Sequence, residues 1–236
     1  MTLFNTVLPI SGIIHIFGFF VMFFLAFRFL RYGESKDNII GKFFGYGFFF
    51  IALSRFFLGF PSLFFLKNQN AWIIFELIER FFLLLGLVIL GYIIYFVKFP
   101  KYVKKITIFF IFISIVVMVG FIINPPTTFV SEKGVLIWEN PPLVASILNF
   151  LMIVSILIPG IIVFFKEARS AEVKKVKIRA IGMASAMAIV FIPGFLDFFI
   201  LPAFKLNPLY SEFTYFIFYL ILAMIIILTY SATDRE

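Results

Sequence analysis

Apolar residues run along this chain in blocks of about 20, the length of a helix that crosses a ~30 Å hydrocarbon layer. Polar residues are confined to short stretches between the blocks. Seven such blocks lie near residues 7–28, 40–61, 71–97, 105–123, 143–165, 179–201 and 211–230. No connector is long enough for a separate soluble domain. The pattern therefore predicts one all-α membrane domain over residues 1–236, a bundle of seven transmembrane helices. The first block is long enough to span and has no basic residues before it, so it is expected to be a retained helix and not a cleaved signal peptide.

The connectors differ in charge. Those after helices 1, 3 and 5 hold fourteen Lys and Arg residues, among them Arg31, Lys101, Lys104, Lys174 and Arg179, against three (Lys67, Lys133 and Lys205) in the intervening connectors. Basic connectors stay in the cytoplasm, so the alternation predicts an outside N-terminus and a cytoplasmic C-terminus, with the cell membrane as the expected location. It also accounts for a net charge of +8, placed where anionic lipid headgroups attract it. A nucleic-acid surface would need those charges on a soluble face with stacking aromatics, and no such pattern is present.

The longest outer connector, residues 124–142, sets the β-branched runs TTFV and VLIWE on either side of SEKG. That arrangement predicts a small hairpin, placed to cover the outer face. The alternative is an irregular connector with Trp138 anchored at the interface. Pro159-Gly160 and Pro193-Gly194 are expected to interrupt helices 5 and 6, freeing the carbonyls of Ser155 and Ile189. Such breaks line sites in some membrane proteins and are plain kinks in others. A shift of about 138 positions also lays helices 1–3 on helices 5–7, pairing Arg31 with Arg169 and Phe75 with Phe213, a weak three-plus-one-plus-three repeat.

Composition narrows the chemistry. The chain is 63% hydrophobic and 14% charged, with no cysteine and one histidine. Thiolate chemistry, iron–sulfur clusters, bis-histidine haem and multi-histidine metal sites are excluded, and no metal or cofactor is expected. Phenylalanine, 39 of 236 residues, reads either as lipid-facing filler or as the wall of a lipophilic pocket. Seven helices invite comparison with retinal photoreceptors, but residues 211–230 contain no lysine to form the Schiff base.

Within the apolar blocks six ionisable residues stand out: His15, Arg55, Glu76, Glu79, Arg80 and Asp197. Each charge costs about 2.5–3.5 kcal/mol at the centre of a membrane helix. At ~1.5 Å rise per residue all six fall about 4–12 Å to the outer side of the midplane. Residues 76, 79 and 80 share one helical face, and Glu76 is spaced to pair with Arg80. Tyr210, Glu212 and Tyr215 are read as the rim of the same site, the tyrosines fitting an aromatic belt equally well.

Two arginines against three carboxylates leave this cluster one negative charge in excess, which a proton, a cation or a charged His15 would balance. The leading expectation is a receptor- or sensor-type binder of a small polar ligand, a cation or protons, with a cytoplasmic or membrane partner protein for output. A small-solute or proton-coupled transporter is the alternative, and an accessory subunit of a larger membrane complex is the third reading. No nucleophile–base or metal-ligand spacing points to an enzyme.

Overall fold

Two helix starts fall where an Asn side chain takes over a backbone amide that a helix end leaves unsatisfied. The computed structural model describes residues 9–35, 37–65, 68–131, 133–195 and 209–231. Asn38 caps α2 by accepting a hydrogen bond from the Gly41 amide, and Asn68 caps α3 through the Ala71 amide, each at 3.1 Å. The tight α1–α2 turn needs a left-handed residue, which Asp37 supplies at φ 44°, a conformation Asp and Asn tolerate.

Among the described residues there are seven helices: α1 (Ile10–Ser35), α2 (Ile39–Phe64), α3 (Gln69–Lys98), α4 (Val103–Ile123), α5 (Leu143–Ser170), α6 (Lys174–Phe195) and α7 (Leu209–Ser231). Between α4 and α5 stand β1 (Thr127–Val130) and β2 (Leu136–Glu139), an antiparallel hairpin in which Thr128 faces Trp138. The hairpin expected from TTFV and VLIWE is therefore present, with Gly134 at φ 76° in its turn.

Six of the seven helices are long and apolar enough to cross a membrane, so the chain is a multi-pass integral membrane protein. The exception among the described residues is α6. Its first turns carry Lys174, Lys175, Lys177 and Arg179, so its apolar part begins only at Ala180. Residues 196–208, which would complete the span expected over 179–201, lie outside the described residues, and so does Asp197.

Neighbouring helices run antiparallel, and the ring closes where α7 packs parallel to α1. One end of the bundle holds the three basic connectors and the other holds the hairpin. Helices approach closely at glycines, because a bilayer gives apolar side chains no reason to hide from it and association rests on van der Waals packing. Gly18 lies against the Tyr219 ring. A Cβ on Gly86 would meet Ile51 Cγ1 at 2.8 Å and the Gly47 carbonyl at 2.9 Å.

Pro159 does not interrupt α5, which is helical from Leu143 to Ser170. The Ser155 carbonyl it releases accepts a hydrogen bond from the Tyr95 hydroxyl at 2.9 Å, so the break is repaired by a neighbour. Pro193 and Gly194 fall in the last turn of α6, again without ending the helix before them. The phenylalanines mostly pack on one another along α1–α3, as Phe57 does on Phe82 at 5.4 Å, or face outward, as Phe20, Phe64 and Phe112 do.

Candidate functional site

Spacing on three helices converges at the hairpin end. Ser11 and His15 are four residues apart on α1, Glu76, Glu79 and Arg80 share a face of α3, and Glu212, Tyr215 and Tyr219 recur at i, i+3 and i+7 on α7. Arg55 of α2 completes the group. The resulting cluster is closed to its surroundings: Ser11 is 0% exposed, His15 1%, Glu79 2%, and Glu76 and Glu212 4% each.

Arg80 pairs most closely with its neighbour Glu79, at 3.3 Å from Nε to Oε2, although the two atoms are not aligned for a hydrogen bond. The expected Glu76–Arg80 pair is present but longer, at 4.0 Å. The reason is that Glu76 has another partner. The Thr128 hydroxyl, on the hairpin, donates to Glu76 Oε2 at 2.8 Å. The Arg80 guanidinium also lies 4.7 Å from the centre of the Phe121 ring, a cation–π contact with α4. Arg55 is 5.9 Å from the Tyr215 ring centre and interacts with the Tyr219 hydroxyl and with Glu79.

Glu212, read from the sequence as part of a rim, is instead at the heart of the cluster. Its Oε1 accepts a hydrogen bond from the Ser11 hydroxyl at 2.5 Å, and its Oε2 lies 3.9 Å from His15 Nε2. Ser11 in turn holds the hairpin twice. Its Oγ accepts from the Leu136 amide at 2.8 Å, and its own amide donates to the Gly134 carbonyl at 3.1 Å. Below the hairpin, Leu136 packs on Leu58 and Trp72. Tyr215 lines the cluster with its ring edge-on to His15 at 5.8 Å, while Tyr210 is largely exposed.

The structure thus brings together His15, Arg55, Glu76, Glu79, Arg80, Glu212 and Tyr215. The sequence reading missed Ser11, Thr128 and Tyr219. Ser11 could have been found from its four-residue spacing to His15, and Tyr219 from its seven-residue spacing to Glu212. Nothing in the sequence signals that Thr128 lands on Glu76. Three buried carboxylates, Glu76, Glu79 and Glu212, lie with two arginines among the described residues. No group of three His, Asp or Glu side chains among the described residues is placed to hold a metal ion. No protein-family model, no curated protein and no solved structure matches this chain.

Proposed function

We propose that this multi-pass membrane protein is a sensor-type binder, seated in the cell membrane with its hairpin end outward, that takes a small polar ligand or protons at the charged cluster. The observation that carries the reading is the cluster itself: five charged side chains from three helices, with His15 from a fourth, covered by a hairpin that hydrogen-bonds the Glu76 carboxylate directly and reaches Glu212 through Ser11. Glue between helices needs far fewer, since a buried ion pair gains little over apolar packing. Transport is the weaker reading. The basic half of the bundle is filled by Leu87, Leu90, Ile94, Ile156, Leu222 and Ile226, a packed apolar layer across the route to the other side.

The test is thermal unfolding of the reconstituted protein against Glu79→Gln and Glu76→Gln. Charges held for function are kept at some cost to stability, so the variants are expected to be as stable as the wild type, within about 1 kcal/mol. Losses of about 3–5 kcal/mol would identify the charges as structural pins and point to an accessory-subunit role.

A further inference from the structure

Ser11, His15, Glu76, Glu79 and Glu212 are buried, and no group of three His, Asp or Glu side chains among the described residues is placed to hold a metal ion. A proton is small enough for such a site and needs no such group. His15 is a buried side chain on α1 whose two ring nitrogens have no hydrogen-bond partner among the described residues, a rare condition for a buried imidazole. Its Nε2 looks onto Glu212 Oε2 at 3.9 Å, just beyond hydrogen-bond reach.

The two oxygens of Glu212 have separate duties. Oε1 is taken by Ser11, the residue that holds the Leu136 amide and so the second strand of the hairpin. Oε2 faces the histidine. We propose that His15 Nε2 and Glu212 Oε2 bind one proton between α1 and α7, and that this proton fastens the hairpin over the cluster. The proposal rests on the binding-site reading above and names the ligand of its closed state. The proton enters from water at the hairpin end and forms an N–H or O–H bond within the pair. It leaves Oε1 free to keep Ser11, and through it Leu136, in place.

Other described groups bear on the pair from α2, α3, α7 and the hairpin. Arg55 faces it from α2, Glu79 stands behind Arg55 on α3, and Tyr215 and Tyr219 flank it on α7. From the hairpin the approach is made by main-chain atoms of Gly134 and Leu136, with Lys133 exposed. Arg55 repels a second positive charge on His15, which restricts the pair to one proton.

Linkage gives the sign. With the hairpin open and the pair in water, Glu and His titrate near ~4.3 and ~6.5, so at pH 8 the open pair holds no proton. A closed pair that holds one gains stability as pH falls, by up to about tenfold in the closing equilibrium per pH unit until the open histidine also charges near ~6.5.

Amide hydrogen exchange of the hairpin in nanodiscs, corrected for the intrinsic rate, reads this directly at Leu136. The expected result is protection that rises about tenfold or more from pH 8.5 to 6.5 in the wild type. Glu212→Gln, which mimics the protonated acid, is expected to be protected at both pH values without a slope. His15→Asn is expected to lose the slope as well, and it keeps the test decisive should Glu212→Gln fail to fold. A flat wild-type profile, or an undiminished slope in either variant, overturns the proton pair. That outcome leaves the binding-site reading standing, because the unfolding of Glu79→Gln decides it independently.

Discussion

From Trp72 to Arg80, α3 buries an indole, two carboxylates and most of a guanidinium; from Leu83 to Ile94, the same helix buries leucines, isoleucines and two glycines. Both halves touch α2, and α4 packs along the same helix. The first half is ordered by directional partners, each supplied from a different element: Thr128 from the hairpin, Phe121 from α4 and Arg55 from α2. The second is ordered by shape alone, with Gly86 against the Gly47 carbonyl and Gly91 against the Phe110 ring. Shape is the robust solution in a bilayer, because packing survives where there is no water to expel. α3 departs from it over two turns at the hairpin end, which is the departure the binding-site proposal draws on.

The comparison breaks most easily at the packed half. Gly86→Leu places atoms where the α2 backbone stands, so a loss of about 3 kcal/mol is expected in chemical unfolding, at the upper end of overpacking costs. If that loss were no larger than the change for Glu79→Gln, the two halves would not differ in kind. A smaller effect sharpens it. Tyr95→Phe removes the hydroxyl that satisfies the Ser155 carbonyl beside Pro159, and should cost about 1 kcal/mol, near the upper range for hydrogen bonds between membrane helices. An unchanged unfolding midpoint would mean that α5 relaxes to bond its own carbonyl.

The smallest effect is expected outside the membrane, in the α1–α2 turn. The Lys42 ammonium, 2.9 Å from Asp37, hydrogen-bonds its carboxyl and holds it below the usual carboxylate range. A carboxyl lowered in the folded protein stabilises above its unfolded value, about 3.9, and that contribution is lost as pH falls through the folded value. Asp37→Asn keeps the left-handed turn and removes only the charge. Its melting temperature should sit slightly below the wild type's at pH 6 and low salt, and the gap should close at high salt and below about pH 4. A gap that persisted there would assign the difference to the turn and not to the pair.

The spans were legible because length and apolarity are properties of consecutive residues, and five helices begin within two residues of their expected starts. The hairpin was legible from β-branched runs about a turn. Pro159 announced that the Ser155 carbonyl would be freed, but not that Tyr95, 60 residues away, would take it. Glu212 was misplaced for a related reason. A residue in the first turn of a helix looks superficial until something covers it, and its cover is a hairpin more than 70 positions earlier in the chain. Likewise Thr128 and Glu76 are 52 residues apart, so no local pattern could join them. Periodicity tells which face a residue occupies; register between distant elements decides what it meets.

Ser11 and Glu212 are separated by 201 positions, so α1 and α7 must meet before the cluster exists. A chain emerging from the ribosome inserts α1, α2 and α3 while Glu212 and Tyr219 are still unmade. Until α7 arrives, His15 and Arg55 lack the Glu212, Tyr215 and Tyr219 side chains that surround them in the finished bundle. The contacts that join α1 to α7 therefore form only after both have been inserted, so assembly of the cluster waits on a residue made 201 positions after Ser11.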